Sequence, residues 1–299
     1  MFMEIPAYPV LFLHRKGMKM SGVLLQDNMK GLGRSGSIMP RGGTKVAADG
    51  MLRCRFEWKY HISESKAAEV EKFVQQYLHP DRYCKLQPTG SYPIASLYLD
   101  SPDLKLCMES ATGRKNRFKL RVRGYNDDPA YPKFFEIKRR MNFTIIKDRH
   151  RVSSRDVDKL LEGGPLPERY YSTEQKSLKQ FLFYQQSICA QPIIQTKYFR
   201  RAYEDDSINR VRVTFDRQLS FRLTYKPVVS IGGSGWRIHP LGGVILEIKF
   251  TSKFPAWLTR LVRHVELIAQ PFSKYVNCVQ GACALKYSAP WVYGFNGFE

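Results

Sequence analysis

The sequence predicts an α+β fold, a closed eight-stranded antiparallel β-tunnel with flanking helices. Three observations lead there. Segments with two-residue alternation recur along most of the chain. They are joined by short turns, without the regular strand–helix alternation of a doubly wound parallel sheet. The basic residues of successive strands also share one phase, so closing the sheet would gather them inside.

Met51 opens the first patterned segment. Arg53–Ile62 alternates, with Arg55, Glu57 and Lys59 on one face and Cys54, Phe56, Trp58 and Tyr60 on the other. Ser63 starts a helix through Val70, Phe73, Val74 and Tyr77, ended by Pro80-Asp81. Strands follow at Ile94–Asp100, Arg114–Tyr125, Lys133–Arg140 and Phe143–Val152. A short helix runs from Ser153/Ser154 to Leu161, and a longer one covers Thr173–Ile188. The second half predicts strands at Ile193–Tyr203, Arg210–Asp216, Leu219–Thr224 and Val244–Phe250. An amphipathic helix carries Phe254, Trp257, Leu258, Leu261, Val262 and Val265. A final helix opens at Phe272-Ser273-Lys274-Tyr275, with Ser273 as its N-cap.

Residues 1–50 hold Gly-rich stretches without periodicity and are expected to be a disordered extension; Met51 is a candidate natural start. Residues 51–290 form the expected folded domain, with 291–299 as a tail.

Of 299 residues, 48 are Lys or Arg and 27 Asp or Glu, a net +21. Residues 1–50 hold only 7 basic and 3 acidic residues, so the excess belongs to the folded part. Such a field favours a polyanionic partner: nucleic acid, an anionic membrane or condensed phosphate. The six cysteines lack C-x-x-C spacing and read as reduced thiols of a cytosolic protein. No stretch reaches the roughly 18–20 apolar residues that span a bilayer. The chain is therefore expected in the cytoplasm, or peripherally at the inner face of a membrane.

The chemistry lies in the strand phases. Arg117, Lys119, Arg121 and Arg123 share one face, as do Glu136, Lys138 and Arg140, and Lys147, Arg149 and Arg151. Arg210 with Arg212, and Glu247 with Lys249, repeat the pattern. Each face taken alone could be the solvated side of a half-buried strand. Together they place like charges on neighbouring strands, which repel unless a polyanion neutralises them. Arg binds phosphate as a bidentate fork and Lys as a point charge. Phosphoryl transfer needs positioning and charge neutralisation, with Mg²⁺ or Mn²⁺ bridging phosphates through hard oxygen ligands. Glu247 is the first candidate metal ligand and Glu136 the second; for both the competing role is a salt bridge to a neighbouring Arg. Asp100 and Asp216, at strand ends, are open between capping and tunnel electrostatics. The histidines show no ligand spacing.

Nine ordered segments resemble the VTC domain, the polyphosphate polymerase domain of the triphosphate tunnel superfamily. They include Phe56-Glu57-Trp58-Lys59-Tyr60, Ser96-Leu97-Tyr98-Leu99-Asp100, Lys119-Leu120-Arg121-Val122-Arg123, Phe135-Glu136-Ile137-Lys138 and Lys147-Asp148-Arg149. Arg200-Arg201-Ala202-Tyr203, Arg210-Val211-Arg212, Leu246-Glu247-Ile248-Lys249 and Phe272-Ser273-Lys274-Tyr275 complete the set, over about residues 52–286. The resemblance implies a tunnel that passes the γ-phosphate of ATP to a growing polyphosphate chain, with pyrophosphate as primer. It carries phosphate binding onto Lys59, Arg121, Arg123, Lys138, Lys147, Arg200, Arg212 and Lys274, and metal binding onto Glu247. Arg121, Arg123, Lys138 and Glu247 are the catalytic candidates. Lys119, Arg149, Arg210, Lys249 and Ser273 join the phosphate-binding set from their phase or helix position. Without a sensor domain or membrane segment, translocation would call for a separate membrane partner.

Three alternatives stand beside this expectation. A tripolyphosphatase or nucleoside triphosphatase of the same fold begins with E-x-E-x-K, whereas Arg55 stands where the first Glu would be. A non-catalytic polyphosphate-binding module would have lost the metal carboxylate or the arginines. Nucleic-acid binding would interleave exposed aromatics with the cations, whereas these strands interleave packing residues.

Overall fold

The computed structural model describes residues 56–142, 144–171, 175–205, 211–251 and 254–284. The expected extension and tail lie outside them, as do Cys54, Arg55 and Arg210.

Strands β1 (Phe56–Ile62), β3 (Tyr92–Asp100), β4 (Asn116–Gly124), β5 (Lys133–Met141), β6 (Thr144–Val152), β7 (Gln191–Glu204), β8 (Arg212–Leu223) and β10 (Val244–Phe250) form the main sheet. Their order is β1-β10-β8-β7-β3-β4-β5-β6, and every pairing is antiparallel. Two-residue strands β2 (His79–Pro80) and β9 (Arg237–Ile238) pair with β7 and β8 and bring the sheet to ten strands. The expectation of a closed eight-stranded barrel is corrected here. β1 and β6 end the path without pairing to each other, so the sheet is open in its hydrogen bonding.

A second correction concerns β8. Two strands were expected, at Arg210–Asp216 and Leu219–Thr224, but Arg212–Leu223 is one strand. Between them Gln218 takes a left-handed φ of 55°, and the pairing with β7 slips between Lys197 and Phe199. That irregularity is a β-bulge, which interrupts the alternation read from sequence without ending the strand.

Helices cover the outer face. The Ser63 hydroxyl accepts a hydrogen bond from Lys66 N and caps α1 (Glu64–Val74), which stops at Val74, short of Pro80. α1 and α6 (Ala256–His264) bury Ala67, Val70, Leu258 and Leu261 against Tyr60, Leu246, Ile248, Val213 and Phe215. α4 (Val157–Leu161) and α5 (Lys176–Ser187) pack Leu160, Leu178 and Phe181 on Leu97, Leu120, Val122, Phe135 and Ile137 of β3–β5. Each such Leu or Phe, fully removed from water, contributes roughly 1.5–3 kcal/mol. These contacts use the apolar phase of β1, β3, β4, β5, β8 and β10 and leave the basic phase on the opposite, concave face.

α2 (Arg82–Lys85) and α3 (Lys105–Ala111) were not expected from sequence. Asp100 accepts hydrogen bonds from Leu106 N and Cys107 N, both at 2.8 Å, and so tethers the start of α3. α7 (Lys274–Ala284) lies against the inner side of the sheet, with Tyr275 stacked on Tyr98 at 4.7 Å and bonded to Asp100 at 2.6 Å. The five described cysteines are free thiols. No described helix is long and apolar enough to cross a membrane.

Candidate phosphate-binding face

Two buried carboxylates, Glu247 and Asp216, and the partly buried Glu57 organise one half of the concave face. Glu247, central on β10, lies within ion-pair distance of Lys59 (3.6 Å), Lys249 (2.9 Å), Lys274 (3.2 Å) and Arg200 (3.7 Å). Asp216 on β8 accepts both arms of Arg200 at 2.7 Å and also meets Lys274 at 2.7 Å. Glu57 on β1 holds Lys59 (3.3 Å) and Lys138 (3.0 Å). The register explains the set: Glu57 pairs with Lys249, Lys59 with Glu247, and Glu247 with Thr214, two residues from Asp216.

The other half is built around Glu136, which has no exposed surface. Its carboxylate receives Arg121 (2.7 Å), Lys147 (2.8 Å), Arg149 (3.4 Å) and Arg123 (3.9 Å) from the two flanking strands. Arg121 also reaches the Tyr98 hydroxyl, and Arg123 that of Ser96, each at 3.3 Å.

α7 joins the halves. Ser273 accepts from Val276 N at its N-terminus and from the Lys119 ammonium at 2.7 Å. Lys59 donates to the Phe272 carbonyl at 3.0 Å. A helix N-terminus carries free N–H groups and a positive dipole end. Lys274, in the first turn, also stands 4.7 Å from the Tyr198 ring centre.

The electrostatics follow from these contacts. Burial alone would push the Glu247 carboxyl up, but Lys249, Lys274, Lys59 and Arg200 outweigh it and hold the group well below the carboxylate range. Glu57 and Glu136 are held low in the same way against burial, by Lys59 and Lys138 in one case and Arg123 and Arg121 in the other. Burial likewise opposes the charge on Lys274, yet Asp216 and Glu247 raise it above an ordinary lysine. Lys138 and Lys147 behave oppositely. Burial lowers them to about 8 and about 7, because Glu57 and Glu136 only partly offset burial and neighbouring cations.

The structure thus brings together Lys59, Lys119, Arg121, Arg123, Glu136, Lys138, Lys147, Arg149, Arg200, Glu247, Lys249, Ser273 and Lys274. Arg212 stands at the strand end, bonded to Asp81 at 2.6 Å and to Glu204. Arg210 lies outside the described residues. Sequence reading left Asp216 open between two roles, and its phase with Arg212 on one strand was the available signal. It gave Asp81 only as a helix stop, whereas the side chain is buried, caps α2 and holds Arg212 and Tyr92.

A divalent metal would be held here by Glu57 and Glu247. Glu57 and Glu247 are ionised hard-oxygen donors on adjacent strands, with Lys59 bridging them and Lys249, opposite Glu57 in register, bonded to Glu247. Two carboxylates plus phosphate oxygens suit Mg²⁺ or Mn²⁺, which commonly take one or two protein carboxylates beside substrate phosphates. No group of three or more acidic, His or Cys side chains suited to a metal occurs among the described residues. Glu136 and Glu247 each stand among four cations, and Glu247 differs in having a second carboxylate, Glu57, on the adjacent strand.

No curated protein sequence matches the chain. Partial structural likeness extends to a candidate adenylate cyclase from Bacillus halodurans (13% identity, 74% of this chain, 94% of that one, TM-score 0.42). It extends also to a protein of Pyrococcus horikoshii (10% identity, 77% and 99%, TM-score 0.40). A third is a candidate adenylyl cyclase from Hippeastrum described as having a dominant triphosphatase activity (11% identity, 75% and 95%, TM-score 0.44). Likeness at that level carries no weight for the chemistry. The VTC domain family model, in contrast, matches residues 54–282, which take in every described strand and nearly all of α7, and the chain belongs to that family.

Proposed function

We propose that this chain is a polyphosphate polymerase that transfers the γ-phosphate of ATP to the end of an inorganic polyphosphate chain, with pyrophosphate as the shortest primer. The observation that carries the reading is the concave face itself, where Lys and Arg far outnumber the carboxylates that orient them. Inorganic phosphate chains present charge on every unit and little else to recognise, and such a face matches them.

In this reaction the bond from the γ-phosphorus to the β–γ bridging oxygen breaks. A new bond forms to a terminal oxygen of the acceptor chain, and ADP leaves with the bridging oxygen. That terminal oxygen is already anionic, so the site has to align two polyanions rather than create a nucleophile. Arg200 and Lys274, held by Asp216, and Arg121 and Arg123, held by Glu136, present fixed donors to the oxygens where charge accumulates. The N-terminus of α7 adds its free N–H groups beside Lys119 and Lys59. A divalent metal held by Glu247 and Glu57 would supply charge neutralisation across adjacent phosphates.

Purified protein with ATP, Mn²⁺ and a little pyrophosphate is expected to release ADP and build acid-insoluble polymer, and Glu247→Ala to lose both. Free phosphate without polymer would assign hydrolysis instead. Tight polyphosphate binding without turnover would leave a binding module.

A further inference from the structure

The concave face is not electrically uniform along its strands. On β4 and β5 the central rung is neutralised, since Arg121 lies opposite Glu136. The next two rungs toward the start of β4 are not. Lys119 stands directly opposite Lys138, and Arg117 directly opposite Arg140. Among the described residues no carboxylate comes within ion-pair distance of Lys119, Arg117 or Arg140, and only Lys138 has one, Glu57. Arg117 and Arg140 instead donate to backbone carbonyls, of Arg114 and Asn142.

Directly opposed like charges on neighbouring strands destabilise a sheet. Here two such rungs follow each other on one face, spanning about 7 Å along the strand. The opposite end of the same strands is different in kind. It finishes in Tyr125 and Phe134, with Tyr92 of β3 beside Tyr125, and Arg149 lies over the Phe134 ring at 3.6 Å while reaching Glu136. The face therefore has one end where cations are partnered by aromatic rings and carboxylate, and one where they are left to repel.

We propose that Arg117 and Arg140 form a distal subsite that holds the far part of a long phosphate chain, beyond the reach of a triphosphate seated between Glu247 and Glu136. The subsite selects for chain length: a short chain ends before it, and a long chain relieves the repulsion of both rungs. This rests on the reading of the concave face as a phosphate-chain site, though not on the transfer reaction itself. The ligand class is a linear inorganic polyphosphate of many units, leaving the Arg117 end of the face.

The test is a binding measurement on the full chain. Tripolyphosphate and a polyphosphate of several tens of units are titrated by calorimetry into wild type, Arg117→Gln/Arg140→Gln and Arg117→Lys/Arg140→Lys. The Gln pair is expected to weaken long-chain binding about ten-fold and to leave tripolyphosphate within two-fold. Its slope of log affinity against log salt should fall by about two, near one unit for each lost phosphate contact. The Lys pair restores long-chain affinity. Without ligand the Gln pair should melt at a higher temperature than wild type, because the opposed charges are gone; this also shows that it folds. Equal weakening of both ligands, or of neither, overturns the distal subsite while leaving the phosphate face standing. Wild-type protein that binds neither ligand overturns both.

Discussion

Lys138 on β5 and Glu57 on β1 meet at 3.0 Å although their strands lie toward opposite ends of the sheet and share no hydrogen bond. The sheet curls until side chains, rather than backbone groups, span its two ends. That contact places the β4–β6 cations opposite the Glu247 cluster.

Lys138→Met is expected to lower kcat/KM for polymer formation by about 10²–10³, the usual cost of removing one fixed electrostatic donor. The pair keeps some contact with solvent, and exposed ion pairs contribute only about 0–1 kcal/mol to stability. Steady-state kinetics beside a thermal melt should therefore show a large loss of activity with a small change in Tm.

Glu136→Gln should behave the other way. Removing one partner of a buried charge cluster costs roughly 3–5 kcal/mol, because the remaining charges are left uncompensated. Denaturant unfolding should show that loss. Added tripolyphosphate should raise the Tm of this variant more than that of wild type, since the anion replaces the missing carboxylate among Arg121, Arg123, Lys147 and Arg149.

Affinity for polyphosphate should fall as pH rises from about 6 to 9. In the free protein Lys147 loses its proton near 7 and Lys138 near 8, chiefly through burial, and a bound polyanion favours the protonated form of both. Binding at pH 8 should therefore take up protons, seen as a dependence of calorimetric heat on the buffer's ionisation enthalpy. Lys138→Met should remove the upper step. The stability sign is also set. Both folded values lie below the unfolded lysine value near 10.4, so above about pH 7 the unfolded chain holds more protons. The contribution of these two groups to ligand-free stability therefore rises with pH through this window.

Glu57→Gln and Glu247→Gln should each raise the Mn²⁺ concentration for half-maximal rate at least ~10-fold, since altering even the groups that only support a metal's ligands costs about 10–100-fold in affinity or activity. Tripolyphosphate binding measured without metal should survive in both. Equal metal dependence in wild type and both variants would place the ion elsewhere.

Much of this site is legible in the chain because strand geometry is local. Arg121, Arg123, Glu136, Lys138, Glu247 and Lys249 share a face by two-residue alternation alone, and apolar residues between them supply the layer that α1, α5 and α6 cover. Ser273 as an N-cap is local too. The merged strand β8 escaped because a bulge at Gln218 shifts the period without a Gly or Pro to mark it. Asp81 escaped because its partners, Arg212 and Tyr92, are distant in sequence.

By itself, then, the sequence determined most of the strands and their basic phase, since each depends on neighbours a few residues apart, and its ordered motifs carried the family to which they belong. Only the tertiary structure decided which cations are neutralised and which are left facing one another. It also decided that the sheet curls without closing in its hydrogen bonds, and that α7 brings Lys274 between Asp216 and Glu247. Those outcomes depend on register and curvature, which set the distance between charges on different strands, and a Coulomb interaction responds to that distance and to burial, not to position along the chain.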